Sequence, residues 1–364
     1  MNQIHGGDIY RNRVELDFSV NVNPLGIPVS VKAALHQAVG SCRFYPDPEA
    51  ESLRNVVSTM LDVPGEQLLF GNGASELFMA VVHALRPKKI AIPVPSFYGY
   101  EYAAKASGSK ITYILMKEKE GFLPSRELFD ALTEDTDLLF LANPNNPTGG
   151  LLTREYLERV LEHCRRKQIA VILDECFIEF CTQASGRQEP SALSLLPEYE
   201  NLILVRAFTK SFAVPGVRLG YLACSSKTIL QQIRCQLPEW NLSVFAQAAG
   251  IACAGEQEFL RQAADYVREE RRFLEEGFTK LGFRVYPGTA NFLLIHMGQM
   301  LCCPEKAKGF KDKPLEQQLL ERGILIRNCE NFRGLGTGYY RIAVKCREEN
   351  ERLLKVMGEL CGAR

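Results

Sequence analysis

Between about residue 66 and residue 224, short runs of aliphatic residues alternate with segments of helical periodicity. The paired segments are QLLF and ASELFMAVVHAL, KKIAIPV and YGYEYAAKASG, and DLLFLA and TREYLERVLEHCRRK, and they are followed by IAVILD, NLILVRAF and VRLGYLAC. Alternation of this kind predicts a mostly parallel sheet covered by helices on both faces. The runs LLFLA and AVILD are apolar almost throughout, as expected for strands buried on both sides. The predicted fold class is therefore α/β.

In such sheets, ligands bind at the carboxyl ends of the strands, so the residues that follow each strand form the candidate site. GNGASE follows QLLF and opens a helix, where free backbone N–H groups and the helix dipole favour an anion. PNNPTGG follows DLLFLA, and Asn146 within it can present an amide to a ligand ring. PSFYGY follows KKIAIPV and brings aromatic faces to the same edge. Each motif also has a plainer interpretation: a helix cap by Ser75 or Asn72, a Pro/Asn turn, and core packing.

Two further strand ends carry charged side chains. AVILD ends in Asp174, which Glu175 follows, and LILVR is followed closely by Thr209 and Lys210, with Arg218 a little further on. A lysine at such a position is either a surface residue or a desolvated amine whose lowered pKa lets it form an imine with a carbonyl. Spacing alone favours the surface residue, whereas the neighbouring motifs favour the reactive amine.

The chain has 364 residues, of which 46% are hydrophobic and 24% charged, enough for more than one core. Lys and Arg together number 43, as do Asp and Glu. No net field therefore attracts nucleic acid or an anionic membrane, and a small-molecule partner is favoured. The first residues lack the apolar stretch of a signal peptide, and no later segment reaches membrane-spanning length, which predicts a cytoplasmic protein.

The twelve cysteines are scattered through predicted helices and strands without metal-type spacing, and we interpret them as reduced, mostly buried residues. Cys302 and Cys303 are adjacent, a poor geometry for a shared metal, so no metal site is expected. They lie in the stretch from Gly298 to Lys313, which has no periodicity and is most simply a solvated loop. The last hundred residues mix a long charged helix, roughly Glu256 to Leu281, with strand-like runs, which predicts a second, smaller α+β domain.

In this order and at these separations, the motifs GNGASE, NNPTG, DE, TK and RLG resemble the fold-type I aminotransferase family over essentially the whole chain. The resemblance implies an aspartate-aminotransferase-like fold, with a large cofactor-binding domain over 46–262 and a small domain formed by 1–45 and 263–364. It implies pyridoxal 5'-phosphate, held as a Schiff base by a lysine, with an acidic partner for the pyridinium nitrogen. It also implies a homodimer, in which Tyr45 would reach across to the partner's cofactor phosphate.

The resemblance assigns a role to each motif. Lys210 would hold the cofactor aldehyde and move protons, and Asp174 would keep the ring nitrogen protonated, because an opposite charge in a buried site favours the charged form. Phe97 would stack on the ring, and Asn146 would donate to its phenolic oxygen. The cofactor phosphate would be held by Ala74, Ser75, Thr209 and Arg218. Many relatives carry a tyrosine where this chain has Phe177, so a second hydrogen bond to the phenolic oxygen is expected to be missing.

Within the family, several stretches resemble the threonine-phosphate decarboxylases: HGGDI, DFSVNVNPLGIPVSVKAAL, FYPDPE, LDECFIEF, TKSFAVPGVRLGYL, YPGTANFLL, ILIRNCENFRGL and YYRIAVK. This likeness implies decarboxylation of L-threonine O-3-phosphate or L-serine O-phosphate to the amino alcohol phosphate, a step in cobalamin biosynthesis. It implies substrate contacts from His5, Gly6, Asn21, Asn146, Arg327 and Arg341. A substrate with a carboxylate and a phosphate needs at least two cations, and arginine offers a planar fork for either.

The plainer interpretation of the two arginines is that they are surface charges on edge strands, and that of His5 is a disordered terminal residue. The reaction also stays open. Decarboxylation breaks the bond from Cα to the carboxylate and transamination the Cα–H bond, and tight clamping of the carboxylate by Arg341 would oppose CO₂ loss unless geometry offsets it. An aminotransferase acting on histidinol phosphate or an aromatic amino acid is therefore the alternative.

Two narrower questions follow from the same residues. Phosphothreonine and phosphoserine differ by one methyl group, which an apolar pocket discriminates by only about 1–3 kcal/mol. A regulator that keeps this fold for ligand sensing would need a DNA-binding module, and neither the balanced charge nor the chain length leaves room for one.

Overall fold

The structure is a computed structural model that describes residues 6–181, 191–298 and 313–362. His5, Cys302 and Cys303 lie outside these ranges, as does most of the loop predicted between Gly298 and Lys313. The strands within the described ranges are β1 (Leu16–Asp17), β2 (Leu68–Gly71), β3 (Lys89–Val94), β4 (Lys110–Leu115), β5 (Leu138–Ala142), β6 (Ala170–Asp174), β7 (Leu202–Ala207), β8 (Gly220–Ala223), β9 (Arg284–Val285), β10 (Phe292–His296), β11 (Ile324–Leu325), β12 (Arg327–Asn328) and β13 (Tyr339–Ala343).

The helices in the same ranges are α1 (Val29–Ala38), α2 (Glu51–Leu61), α3 (Ala74–Leu85), α4 (Tyr98–Ala106), α5 (Arg126–Ala131), α6 (Arg154–Arg166), α7 (Phe208–Ser211), α8 (Lys227–Arg234), α9 (Val244–Ala254), α10 (Gln257–Lys280), α11 (Leu315–Leu320) and α12 (Arg347–Leu360). Side-chain caps set some of their starts. Thr153 accepts a hydrogen bond from the backbone N–H of Tyr156 at 3.2 Å at the start of α6, and Ser243 accepts one from Ala246 at 3.1 Å at the start of α9.

The central sheet has seven strands in the order β2-β8-β7-β6-β5-β3-β4. Strand β8 is antiparallel to β2 and β7, and the other neighbouring pairs are parallel, which confirms the predicted mostly parallel α/β sheet. The edge strand β4 was not predicted. Its sequence, KITYIL, mixes polar and apolar residues, because the strand pairs only with β3 and most of its side chains are not fully buried.

Both faces of this sheet are covered, as the apolar strands predicted. Along β5, Leu139 and Leu141 belong to one buried apolar cluster, whereas Leu138 and Phe140 belong to another. Successive side chains of a strand point to opposite faces, so the two clusters lie on opposite sides of the sheet. Each such side chain stabilises the fold by about 2 kcal/mol when it is fully buried. This double burial holds the carboxyl ends of the central strands in a fixed arrangement.

A four-stranded antiparallel sheet, β12-β13-β10-β9, forms in the C-terminal part of the chain and packs with α10, α11 and α12 in a third apolar cluster. The run ILIRNC, expected as one strand, is divided between β11 and β12. Strand β11 pairs in parallel with β1, with Leu16 opposite Ile324, so the N-terminal segment joins this region. Val31 of α1 packs instead in a cluster of the large sheet. The domain division at residues 45 and 262 stays a prediction.

Seven of the ten described cysteines are buried, and all ten are free thiols, as expected. No group of three or more His, Cys, Asp or Glu side chains that could hold a metal ion occurs among the described residues. Within the same part of the chain, no helix combines the length and the apolar character needed to cross a membrane.

Candidate active site

A cavity of about 690 Å³ lies where the carboxyl ends of β3, β5, β6 and β7 meet the loop after β12. A cleft of this size at the strand ends of an α/β sheet accommodates a cofactor-sized ligand. Twelve residues that the sequence singled out line it: Gly6, Asn21, Ala74, Ser75, Phe97, Asn146, Asp174, Thr209, Lys210, Arg218, Arg327 and Arg341. Residues that follow five strands of the large sheet, the N-terminal segment and the strands β12 and β13 thus meet in one place. Tyr45 does not line this cavity, and His5 lies outside the described residues.

Lys210 lies in α7, the single helical turn that follows β7. The backbone holds this turn in place, because the N–H of Asn23 donates to the carbonyl of Lys210 at 3.0 Å and the Asn23 amide donates to the carbonyl of Ser211 at 2.7 Å. Burial lowers the pKa of the Lys210 amine to about 8, and the positive charges of Arg341 and Arg218 act in the same direction. The lysine is therefore the desolvated amine and not a surface charge.

Asp174 is the last residue of β6, and it is 8% exposed. Its Oδ2 accepts a hydrogen bond from the hydroxyl of Tyr100 at 2.6 Å, and its Oδ1 accepts one from the backbone N–H of Cys176 at 2.9 Å. Burial raises the pKa of the Asp174 carboxyl, while these donors act to lower it. A buried carboxylate that forms no ion pair with any described residue is suited to pair with a cationic group of a ligand.

Glu175, the next residue, faces away from the cavity into a buried ion pair. Arg206 of β7 donates to Glu175 Oε2 at 2.8 and 3.1 Å and forms a second ion pair with Glu179 at 3.3 Å. Glu175 also accepts from the hydroxyl of Ser191 at 2.6 Å and from the backbone N–H of Ala192 at 2.8 Å. This network ties β6 to β7 next to the cavity, so it supports the positions of Asp174 and Lys210 without facing a ligand itself.

The N-terminus of α3 forms an anion cradle. The helix is preceded by Gly73, at φ +76°, and no side chain caps it, so the predicted alternative of a cap by Ser75 or Asn72 is not observed. A Cβ on Gly73 would lie 2.5 Å from Nη2 of Arg218, so only glycine lets this guanidinium approach the helix end. The free N–H groups, the helix dipole and a guanidinium together favour a phosphate. Thr209 borders the same cavity.

Aromatic rings form one wall of the cavity. The ring of Phe97 lies edge-on to Tyr100, with 5.7 Å between the ring centroids. A Cβ on Gly99 would lie 2.2 Å from Cε1 of Phe97, so this glycine makes room for the ring. Phe177 occupies the position where many relatives carry a tyrosine. Its ring packs edge-on against Phe292, with 5.1 Å between the ring centroids. The wall therefore offers flat apolar surface, and position 177 contributes no hydroxyl.

Arg341, in β13, is buried next to the strand ends of the large sheet. Its guanidinium donates to Oδ1 of Asn146 at 2.6 Å and to the carbonyl of Ser19 at 2.6 Å. Nε of Arg341 and Oδ1 of Asn21 are buried without a hydrogen-bond partner among the described residues. Burial lowers the pKa of Arg341 to about 10. A buried guanidinium with a spare donor indicates a site for an anion, and the surface-charge interpretation is wrong for Arg341.

Arg327, in β12, is also buried and lines the cavity. Its guanidinium donates to Oδ1 of Asn331 at 2.8 Å and to the carbonyl of Asn328, and it lies over the ring of Phe332 at 5.0 Å. These contacts hold the arginine in one orientation. The surface-charge interpretation is therefore wrong for Arg327 as well.

Tyr45 lies apart from the cavity, on the surface of the chain. Its side chain is 81% exposed and packs against the ring of Trp240 at 4.9 Å. Exposed large apolar side chains also occur nearby in sequence, at Val39 and Phe44. The reach of Tyr45 into a partner's site stays a prediction.

Sequence reasoning missed several residues that the structure brings to the site. Tyr100 was interpreted only as part of an aromatic motif, although it donates to Asp174. The loop that follows β12 was included in the stretch ILIRNCENFRGL, but no residue of that stretch beyond Arg327 was given a role, and its residues 330–335 line the cavity. Ser19 holds Arg341 through its backbone carbonyl, which no side-chain pattern reveals. The polar segment NCENFRGLG, directly after a strand, was the available signal for the loop.

Comparison with known proteins places this site in a family. The family model described as aminotransferase class I and II matches residues 13–357. The chain belongs to this family. It is 34% identical to a threonine-phosphate decarboxylase of Salmonella typhimurium, over 98% of this chain and 96% of that protein. It is 30% identical to a histidinol-phosphate aminotransferase of Methanocaldococcus jannaschii, over 93% of this chain and 87% of that protein.

Among solved structures, the crystal structure of the histidinol-phosphate aminotransferase from Clostridium acetobutylicum superposes with a TM-score of 0.85 at 32% identity, covering 96% of this chain and all of that one. The predicted aspartate-aminotransferase-like fold is therefore confirmed. Within the aminotransferase class I and II family, likeness extends to both a decarboxylase and aminotransferases, so membership of the family does not by itself decide between the two reactions.

Proposed function

We propose that this chain is a pyridoxal-phosphate-dependent decarboxylase that converts L-threonine O-3-phosphate, or L-serine O-phosphate, to the corresponding amino alcohol phosphate. The observation that carries this proposal is the presence of two buried arginines, Arg327 and Arg341, in the same cavity as Lys210 and Asp174. One arginine matches a carboxylate and the other a phosphate. The likeness to the Salmonella typhimurium enzyme over nearly the full length of both chains supports the same reaction.

The residues present fit the cofactor. Its phosphate would be held by the uncapped N-terminus of α3 with Ser75, Thr209 and Arg218. Asp174, whose burial disfavours a lone negative charge, gains a partner if the ring nitrogen is cationic. Phe97 would cover one face of the ring. When bound, the cofactor supplies an electron sink that stabilises negative charge developing at the substrate Cα.

The protein's own groups then have defined tasks. Lys210 would hold the cofactor aldehyde covalently, and its lowered pKa keeps part of the amine neutral near pH 7, as a nucleophile requires. Breaking the bond from Cα to the carboxylate releases CO₂ and leaves an electron pair on Cα. The substrate amine would first take the place of Nζ on the aldehyde carbon, which frees Lys210. The proton that takes the place of CO₂ can then come from Nζ of the free Lys210, because an amine with a pKa of about 8 both gives and takes protons near neutrality.

The two arginines differ in their surroundings. Arg341 is close enough to Lys210 to lower the pKa of that amine, and it bonds Asn146, so it faces the reacting centre and would take the carboxylate. This leaves Nδ2 of Asn146 to donate to the phenolic oxygen of the cofactor. Arg327, in β12, donates to Asn331 of the loop that follows this strand, and it would take the phosphate. Gly6 and Asn21 border the same space and would complete the substrate contacts.

The second candidate is an aminotransferase acting on histidinol phosphate or an aromatic amino acid. The observation in its favour is the superposition on the Clostridium acetobutylicum enzyme at 32% identity. The same two cations serve this reaction, since a dicarboxylic oxo acid acceptor also carries two negative groups. Only the reaction products distinguish the two.

The deciding assay offers phosphothreonine, phosphoserine and histidinol phosphate to the purified protein loaded with pyridoxal phosphate, with and without 2-oxoglutarate. The proposal expects CO₂ release from phosphothreonine or phosphoserine with no need for the oxo acid. Keto product that appears only with 2-oxoglutarate, without CO₂, would overturn it. Arg327→Gln serves as a specificity control: it should abolish the preference for phosphothreonine over threonine, because it removes a charge that only the phosphate uses.

We also propose a homodimer with Tyr45 contributing to the partner's cofactor phosphate site. Support comes from the exposure of Tyr45 and from its absence among the residues that line the cavity of its own chain. Tyr45→Phe should weaken cofactor binding. In mixed dimers of one wild-type and one Tyr45→Phe subunit, the one site that still receives a Tyr45 hydroxyl should bind the cofactor with the wild-type affinity. Unchanged cofactor affinity in Tyr45→Phe would refute the crossing.

A further inference from the structure

The contact between Tyr100 and Asp174 has no role in the chemistry described so far. Tyr100 lies in α4, within the aromatic wall of the cavity, and is 1% exposed. Its ring stacks on Phe140 of β5 with 5.0 Å between centroids and meets Phe78 of α3 edge-on at 5.3 Å. These contacts fix the ring from two elements, so the hydroxyl has one place to point. It points at Oδ2 of Asp174, 2.6 Å away.

We propose that Tyr100 is a positioning residue that keeps Asp174 ionised and aimed at the ring nitrogen of the cofactor. The inference rests on the proposed function, in which Asp174 pairs with that nitrogen. A phenolic O–H donor at 2.6 Å forms a short hydrogen bond to a carboxylate, of the kind that favours the ionised form. The backbone N–H of Cys176 holds the other oxygen, so the plane of the carboxylate is fixed at both ends.

The electrostatic surroundings show why such a donor is needed. Burial raises the pKa of the Asp174 carboxyl, and the charge of Glu175 acts in the same direction. The groups that lower it are Cys176 and the hydroxyl of Tyr100. The pKa of Tyr100 itself is raised well above its ordinary value by burial and by the neighbouring carboxylate, so the phenol keeps its proton. Tyr100 therefore remains a donor across the working pH range.

The positive groups of the cavity do not replace Tyr100. The charges of Arg341 and Arg218 act on Lys210, whereas the main groups that lower the pKa of Asp174 are Cys176 and Tyr100. Without the phenol, the carboxyl would keep only the Cys176 contacts against the effect of burial. A more neutral Asp174 would attract a ring cation less strongly, and the cofactor would bind more weakly as a result.

The test uses Tyr100→Phe and two cofactors. One is pyridoxal phosphate, and the other is its 1-deaza analogue, which has C–H in place of the ring nitrogen and cannot pair with Asp174. We expect Tyr100→Phe to bind pyridoxal phosphate about tenfold more weakly, the size of a hydrogen bond to a charged group. We expect its affinity for the deaza analogue to stay within about twofold of the wild-type value. The matched control is Tyr156→Phe, which removes a hydroxyl that donates to the carbonyl of Ser125 away from the cavity.

Each outcome decides the inference. Equal weakening for both cofactors means that Tyr100 only packs the wall, and unchanged affinity for both means that it does not act on Asp174; either result overturns the proposal. The affinities of Asp174→Asn for both cofactors are measured in parallel, so that a failure of the role of Tyr100 can be distinguished from a failure of the proposed function. If Asp174→Asn loses affinity for pyridoxal phosphate and Tyr100→Phe does not, only the role of Tyr100 fails. If Asp174→Asn binds both cofactors as the wild type does, the proposed role of Asp174 fails, and the role of Tyr100 fails with it.

Discussion

Replacing Lys210 by methionine should make the cofactor-free protein more stable at neutral pH. Methionine has a similar length and removes the charge. In the wild type, burial and the charges of Arg341 and Arg218 lower the pKa of this amine from 10.5 to about 8. Below pH 8 the lysine is charged in both the folded and the unfolded states, so the folded state carries the cost of holding that charge in a largely desolvated cavity. At about 1.4 kcal/mol for each pH unit, that cost corresponds to about 3 kcal/mol.

The dependence on pH follows from the same values. Between pH 8 and 10.5 the unfolded wild type binds a proton that the folded wild type does not, so the stability of the wild type rises with pH. The advantage of Lys210→Met should therefore fall from about 3 kcal/mol at pH 7 to about 1 kcal/mol near pH 9.5 and vanish above pH 10.5. For a chain of this length, with an unfolding entropy of about 2 cal/mol/K per residue, 3 kcal/mol corresponds to a rise of about 4 °C in Tm.

Thermal unfolding of the cofactor-free proteins, followed by circular dichroism at pH 7 and pH 9.5, measures this difference. Lys355→Met, on the exposed side of α12, controls for the general effect of exchanging a lysine for methionine. Two results would refute the reasoning: a Lys210→Met protein no more stable than the wild type at pH 7, or a gain that is the same at both pH values. Active-site groups often lower the stability of a protein in this way, because function requires a charged group at a position where an apolar side chain would be more stable.

Three further predictions concern neighbouring residues. Gly73→Ala should lower cofactor affinity about tenfold, because its Cβ would lie 2.5 Å from Nη2 of Arg218 and would displace a charged hydrogen-bond donor. Fluorescence titration measures the affinity, and an unchanged value would contradict the anion cradle. Glu175→Ala should lower the free energy of unfolding by about 3–5 kcal/mol, because Arg206 would stay buried with only Glu179 to compensate its charge. Urea denaturation measures the loss, and a loss below about 1 kcal/mol would contradict a stabilising role for this ion-pair network. Phe177→Tyr should lower the pH midpoint of the visible absorption change of the protein loaded with pyridoxal phosphate, because the new hydroxyl would donate to the phenolic oxygen of the cofactor. An unchanged midpoint would mean that position 177 does not reach that oxygen.

Much of the fold could be predicted because the constraints are local. The apolar runs that became β5 and β6 are buried on both faces, and the periodic charged segment that became α10 spans nearly the residues expected. The edge strand β4 was missed because an edge strand is only partly buried, so its pattern is weaker. The antiparallel direction of β8 has no signature in the sequence, since direction depends on how the chain crosses the sheet.

The candidate site divides in a similar way. The sequence by itself determined which residues follow the strands, and therefore that Asp174 and Lys210 belong to one edge of a sheet. Only the tertiary structure decided that Arg341, almost two hundred residues after Asn146, donates to its side chain, and that Tyr100 donates to Asp174. The physical reason is that strand ends are set by local burial patterns, whereas the pKa values and hydrogen bonds of a site depend on contacts between segments far apart in the chain.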